Sequence, residues 1–327
     1  MLSRFSVLKV CQISSITRNV VVRFTNGKDA IKHIPKRNLQ THTQTGWRSW
    51  DAVKKPTGIT AENAGRAVLG GASAAAIAGL CFYGLGLSNE VGAIDVARFW
   101  PEEMRARVKS TYLYFTGSLG LTAVSAFYMS RTQAIYRMMG ASPWLVIGGS
   151  MVAMIGSSIL CQAIEYEKGL NAKHFAWAVH SGVVGIVIAP MILLGGPLVA
   201  RAAIYTAGTV AGLTLTAACA PNDKFLTWGG PLSLALGGIC VASLGGMFLP
   251  ASSAAVPVIN SLVTYGGLII FGGFMLYDTQ KIIKQAEIST YRGQKYDPIN
   301  SSIGIYMDTI NIFIRILMIM SGNNRKK

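Results

Sequence analysis

Charge is scarce in this chain, and acid is scarcest. Only 13% of its 327 residues are charged, with 14 Asp and Glu against 30 Lys and Arg. A soluble domain carries about 25% charged residues, so a large water-exposed globular body is excluded. Cysteine is sparse and scattered, at Cys11, Cys81, Cys161, Cys219 and Cys240. With no CxxC pair and no Cys/His cluster at zinc spacing, neither a disulfide framework nor a metal module is read, and a buried Cys acts as a small hydrophobe. Catalytic signatures are missing too. There is no Walker or dinucleotide motif. The nearest approach to a rhomboid GxSG is Val179-His180-Ser181-Gly182, with Val in the first position. The nearest approach to a solute-carrier PxDxxK triplet is Pro101-Glu102-Glu103, followed by Ala106 where a base is needed. No enzyme, resident cofactor or nucleic-acid partner is expected.

What is present is apolar. Hydrophobic residues make up 51% of the chain and gather in eight stretches near 67–87, 111–130, 144–164, 174–194, 198–219, 228–249, 258–278 and 299–320. About twenty apolar residues span ~30 Å of hydrocarbon, so the fold class is an all-α polytopic membrane protein, with lipid as its first partner. The 36 glycines fit close helix packing. The first stretch, with GGASAAAIAGL, is only weakly apolar and reads as a span rather than an interfacial helix. A polar linker, 51–66, precedes it, and an amphipathic loop, 88–110, comes after it with Phe99 and Trp100 as interfacial anchors. Basic residues divide nine to eleven between the two sides, too even for the positive-inside rule to orient the chain.

Residues 1–50 differ from the rest. Arg4, Lys9, Arg18, Arg23, Lys28, Lys32, Lys36, Arg37 and Arg48 face one acid, Asp29, which puts +8 of the net +16 in this segment. It lacks the apolar core of a secretory signal. Arg-rich, Ser-rich and acid-poor composition describes a mitochondrial transit peptide, with removal expected between about Arg37 and Asp51. A basic arm touching anionic lipid is the alternative.

Two packing signals stand out. Gly pairs at 229/230, 237/238 and 245/246 recur every eight residues, and Gly208 and Gly212 form a GxxxG. Both are expected to bring helix backbones together.

Function points to two acids. Asp278 ends a stripe of Asn260, Thr264, Gly267, Phe271 and Phe274 at 4-3-4-3-4 spacing, one helical face. No Gly or Pro stops that helix before Gly293. Asp308, Asn311 and Arg315 share a face of the last stretch, and a polar stripe on a membrane helix must face protein or water. Asp278 and Asp308 lie fifteen residues either side of Gly293, so an antiparallel hairpin sets them at similar depth. A carboxylate at mid-bilayer costs about 2.5–3.5 kcal/mol on insertion scales, which makes such a pair a proton or cation site. Close carboxylates resist ionising together, and when both are charged they suit a hard cation such as Ca²⁺. Competition between protons and a cation for one site is the basis of antiport. The alternative leaves Asp278 solvated at a helix end and Asp308 neutralised by Arg315. Arg315, His180 and Arg201 are weaker candidates for gating or relay, with lipid or carbonyl contact, a helix–helix hydrogen bond and snorkelling as their ordinary roles. His174, Glu165 and Glu167 sit at span ends.

The strings GGLIIFGGFMLYDTQKIIKQAE and YDPINSSIGIYMDTINIFIRIL closely resemble the last two membrane segments of the transmembrane Bax inhibitor motif family. SPWLVIGGSMVAMIG, APMILLGGPLVARAAIYTAGTVAG and APNDKFLTWGGPL resemble its mitochondrial branch, over roughly residues 60–327. The resemblance implies a seven-helix Bax-inhibitor-like core at 111–327, with one extra transmembrane helix and the amphipathic loop at 67–110. It implies that Asp278 and Asp308 are the paired pH-sensing and Ca²⁺-site residues. It also implies Ca²⁺/H⁺ exchange or leak in the mitochondrial inner membrane, with roles in cristae organisation and apoptosis resistance. One departure is plain: the third apolar stretch, 144–164, has no Arg to match the arginine partner of bacterial relatives. The competing readings are a structural protein that organises cristae or restrains a protease, with inner-membrane protein partners and no transport of its own, and a K⁺/H⁺ exchanger.

Overall fold

In hydrocarbon a helix satisfies its own backbone groups, and long apolar stretches fold accordingly. A computed structural model describes residues 8–14, 16, 78–79, 81–83, 88, 92–221, 223–246, 248–250, 253 and 255–324. The linker 51–66, most of the extra span 67–87, most of the expected transit peptide and its cleavage region lie outside these residues.

Among the described residues seven main helices form: α1 (Glu102–Arg131), α2 (Pro143–Ala163), α3 (Ala172–Ile188), α4 (Gly196–Cys219), α5 (Gly229–Gly245), α6 (Ala255–Tyr291) and α7 (Pro298–Asn324). Six of them, α2 to α7, are long and apolar enough to cross a membrane. The described backbone is otherwise turns, short helical pieces and one isolated antiparallel bridge, Gly92 to Pro221. Local chemistry sets the helix starts. Ser142 accepts from Leu145 N–H ahead of a first-turn Pro in α2, and Asn171 accepts from Lys173 and His174 N–H ahead of α3. Asp297 accepts from Asn300 N–H at 2.9 Å, with Pro298 opening α7.

The helix expected over 111–130 starts nine residues earlier, at Glu102, and α1 does not join the apolar six, because its uncharged stretch is rich in Ser, Thr, Tyr and Gly. Glu102 and Glu103 occupy its first turn, where acid opposes the positive end of the helix dipole, and Arg107 pairs with Glu103 one turn on at 3.7 Å. The expected interfacial loop is therefore half helix. Phe99 is 80% exposed as an anchor should be, but Trp100 packs with Met104, Ile283 and Ala286.

α7 is the core strut. In its apolar window 72% of residues are buried, against 22–50% in the other five, and it packs on α1, α4 and α6. The other helices turn apolar faces outward: Val124 and Phe127 on α1, Val152 and Ile159 on α2, Leu234 and Val241 on α5. These are the lipid face.

Two packing expectations change. A Cβ on Gly230, Gly237, Gly238, Gly245 or Gly208 would meet nothing within 4 Å. Only the ends of the glycine stripe are close-packed, Gly229 on Tyr277 and Gly246 on Ile259, because much of α5 looks outward. The Asp278 stripe is also shorter than its spacing implies. Gly267, Phe271, Phe274 and Asp278 are buried, whereas Asn260 and Thr264 are half-buried. A π turn, Leu262–Gly266, adds a residue to the helix there and shifts the face. Past Asp278 the helix runs on to Tyr291, as the absence of Gly and Pro requires.

Candidate functional site

The α6–α7 hairpin turns through Gly293, whose positive φ of 62° suits glycine, and brings the acids together. Asp278 is 5% exposed and Asp308 0%. The alternative of a solvated Asp278 is thereby excluded. Gly304, one turn before Asp308, lets α7 close on Asp278: a Cβ at Gly304 would lie 2.5 Å from Asp278 Oδ2.

Between them sits Lys9. Its Nζ is 2.8 Å from Asp278 Oδ2 and 2.6 Å from Asp308 Oδ1, and donates at 3.4 Å to the Gly304 carbonyl. The Phe274 ring lies 4.7 Å from the same nitrogen. Residues 8–14 and 16 are helical and sunk among α2, α5, α6 and α7, with Val10, Ile13 and Ile16 buried. Lys281 stands at the edge, 3.8 Å from Asp278 Oδ1 and partly exposed.

The charges do not balance. Two buried carboxylates share one buried ammonium, with Lys281 only grazing the rim. Asp308 Oδ1 touches Lys9 without hydrogen-bond alignment, and Asp308 Oδ2 has no donor among the described residues. A buried carboxylate oxygen left in this way is costly. A proton or a second cation would satisfy it.

Arg315 does not neutralise Asp308. It donates to the Asn311 carbonyl at 2.9 Å, to Asn311 Oδ1 at 3.0 Å and to Gln12 Oε1 at 3.0 Å. Its guanidinium lies over Phe271 at 4.4 Å, in space that Gly267 leaves by having no side chain. Asn311 Nδ2 in turn donates to the Lys9 carbonyl at 3.2 Å. Arg315 therefore joins the site through Asn311 and the N-terminal helix. His180 bonds Ser157 at 2.9 Å, a helix–helix tie, and its ring lies edge-on to Tyr306. Arg201 is exposed on α4, apart from the pair.

Sequence reasoning missed Lys9 and Gln12. Lys9, Gln12, Ile13 and Ile16 lie at i, i+3, i+4, i+7, but a short basic amphipathic helix reads equally as a targeting signal. It also missed Lys173, which is fully buried and bound to the Ile164 carbonyl, Asn300 and Asp297 at 2.8, 2.8 and 2.7 Å.

Fold and site together define a polytopic helical membrane protein whose last two helices, α6 and α7, each supply one acid to a pair closed off from solvent. Residues 104–325 match the family described as inhibitor of apoptosis-promoting Bax1. The chain is 47% identical over 302 residues to growth hormone-inducible transmembrane protein of Rattus norvegicus, covering 90% of this chain and 87% of the relative. It is 26% identical over 227 residues to inner membrane protein YbhL of Escherichia coli (strain K12), covering 68% and 93%. It is 27% identical over 186 residues to Bax inhibitor 1 of Arabidopsis thaliana, covering 55% and 72%. The chain belongs to the Bax inhibitor family. Asp278 and Asp308 fall inside the matched region, and Lys9 falls outside it.

Proposed function

We propose that the chain is a multi-pass protein of the mitochondrial inner membrane, made by removal of a transit peptide within residues 1–50. It moves Ca²⁺ against protons through Asp278 and Asp308, as an antiporter or a pH-gated leak, and through this acts on cristae organisation and resistance to apoptosis. The supporting observation is the surplus of buried negative charge at the pair. Such a site holds a proton or a metal ion, and filling it with one expels the other. Around the point now taken by Lys9 Nζ, Asp278 Oδ2, Asp308 Oδ1 and the Gly304 carbonyl offer oxygens to a hard cation. Water completes the shell of about six to eight oxygens that Ca²⁺ takes.

The test is ion-resolved flux, Ca²⁺ against K⁺, in proteoliposomes holding the chain purified from mitochondria, with an imposed pH gradient. Asp278→Asn and Asp308→Asn each lower proton-linked Ca²⁺ flux by about tenfold or more while the protein still inserts. Unchanged flux in both variants removes the reading, and K⁺ flux in place of Ca²⁺ reassigns the ion. The occupied state of the pair favours a second reading, a structural protein of the inner membrane that does not transport. Under it, the doubly substituted chain restores cristae shape in depleted cells as fully as the parent.

A further inference from the structure

The N-terminal helix reaches the acid pair from the far end of the sequence. Lys9 and Asp278 are 269 residues apart. Its contacts are specific rather than merely apolar. Gln12 donates to Cys240 Sγ at 3.4 Å and to Ser243 Oγ at 3.2 Å while accepting from Arg315. Cys240 Sγ donates to the Leu8 carbonyl at 3.5 Å, and Ser150 Oγ to Ser14 Oγ at 3.1 Å. This short helix thus has polar partners on α2, α5 and α7.

The position of one atom gives these contacts a functional meaning. Lys9 Nζ stands where a bound cation would stand, held by an oxygen of each acid and a backbone carbonyl, with an aromatic face beside it. An ammonium is a cation of fixed charge that cannot be carried across, because it is tethered. While it is seated, the site holds its cation without turnover. The segment that brings it is the one whose composition marks it for removal, and a cut between about Arg37 and Asp51 would sever the helix's covalent link to the membrane bundle and leave only its noncovalent contacts.

We propose that residues 8–14 and 16 form a built-in plug: Lys9 occupies the di-aspartate site as a tethered cation and holds the unprocessed chain closed until the N-terminal segment is withdrawn. The proposal rests on the cation-site reading above. Once the plug leaves, two buried carboxylates face each other without their ammonium, and a proton or a metal ion must replace it. The site is therefore charged for exchange only in the processed protein, which keeps the precursor inert in other membranes.

The experiment uses the intact chain, made in a host that does not process it and reconstituted in proteoliposomes. Lys9→Gln raises proton-linked Ca²⁺ flux by about tenfold or more over the parent, while Lys9→Arg stays closed. Equal flux in parent and Lys9→Gln, lost in Asp278→Asn and Asp308→Asn, overturns the plug and leaves the acid pair standing. A rise in Lys9→Gln that survives both acid substitutions overturns the cation-site reading itself, and the plug with it. A second measurement needs no flux. Cys11 and Cys240 are both free and buried where the N-terminal helix meets α5, with Cys240 Sγ bonded to the Leu8 carbonyl and to Gln12. Copper–phenanthroline, accepting two electrons as two protons leave, joins them as a disulfide that fixes the helix in place. We expect this cross-link in the parent, which stays closed when oxidised, and less of it in Lys9→Gln. Absence of the cross-link in the folded parent, or open flux through a cross-linked chain, overturns the proposal.

Discussion

Two lysines are buried among the described residues, and they are buried differently. Lys173 joins the end of α2 and the start of α3 to the start of α7. One acid, one side-chain amide and one carbonyl use its three protons, and its charge is matched by Asp297 alone. Lys9 is shared by two acids, one of which keeps an oxygen without a donor. A buried ion pair that is balanced and fully bonded holds structure together. One that is unbalanced is unfinished, and is able to exchange what it holds. The contrast separates a rivet from a site, although both residues are buried lysines.

The sharpest way to break the comparison is to remove both lysines and watch thermal unfolding in detergent. Lys173→Met leaves Asp297 and Asn300 without their partner and costs about 3 kcal/mol, toward the low end for a broken buried pair because Asp297 is partly exposed. Added Ca²⁺ does not restore it. Lys9→Gln costs less, about 1–2 kcal/mol, since the freed acids can take up protons. Its melting temperature becomes Ca²⁺-dependent, rising by the equivalent of about 2.7 kcal/mol at a hundred times the dissociation constant. If the two variants respond alike to Ca²⁺, the distinction fails.

A smaller effect tests the closeness of α6 and α7. Gly304→Ala forces a methyl against Asp278 and costs about 1–3 kcal/mol by overpacking. Gly237→Ala on α5, where nothing lies within 4 Å, changes stability by less than about 0.5 kcal/mol. Similar losses in both would mean that the helices are not in contact at Gly304.

The smallest effect is at the surface. Lys295 donates to Glu165 across two loops, and this hydrogen bond holds the Glu165 carboxyl below the usual carboxylate range while raising the Lys295 ammonium above its own. A depressed acid stabilises the fold above its unfolded value and loses that contribution as pH falls through its folded value. Lys295→Ala should therefore remove a slight acid-side slope from the melting curve. Because both groups are fully exposed, the slope is already gone at high salt.

Much of this arrangement can be read from residue order. Acids are so expensive in a membrane that Asp278 and Asp308 identify themselves, and the lack of a breaker before Gly293 gives α6 its length. The polar stripe of α7 had to face inward, and Asp308, Asn311 and Arg315 are all fully buried. Three things were hidden. A π turn leaves no mark in a 4-3-4 pattern, so the stripe above Gly267 ran off its face. Glycine spacing shows that a helix face is smooth without showing what lies against it. Lys9 was hidden most completely, since its partners are hundreds of residues away and its neighbours carry the composition of a signal.

The π turn in α6 has one more consequence. Each residue added to or taken from a helix rotates every later side chain by about 100°. Phe271, Phe274 and Asp278 lie beyond Leu262–Gly266 and meet Arg315 and Lys9 in that rotational setting. Drawing the wide turn back to ordinary α geometry would swing both ring faces and the acid off their cations in one movement. The irregularity in α6 thus fixes the rotational setting in which the lower half of the helix meets the centre of the bundle.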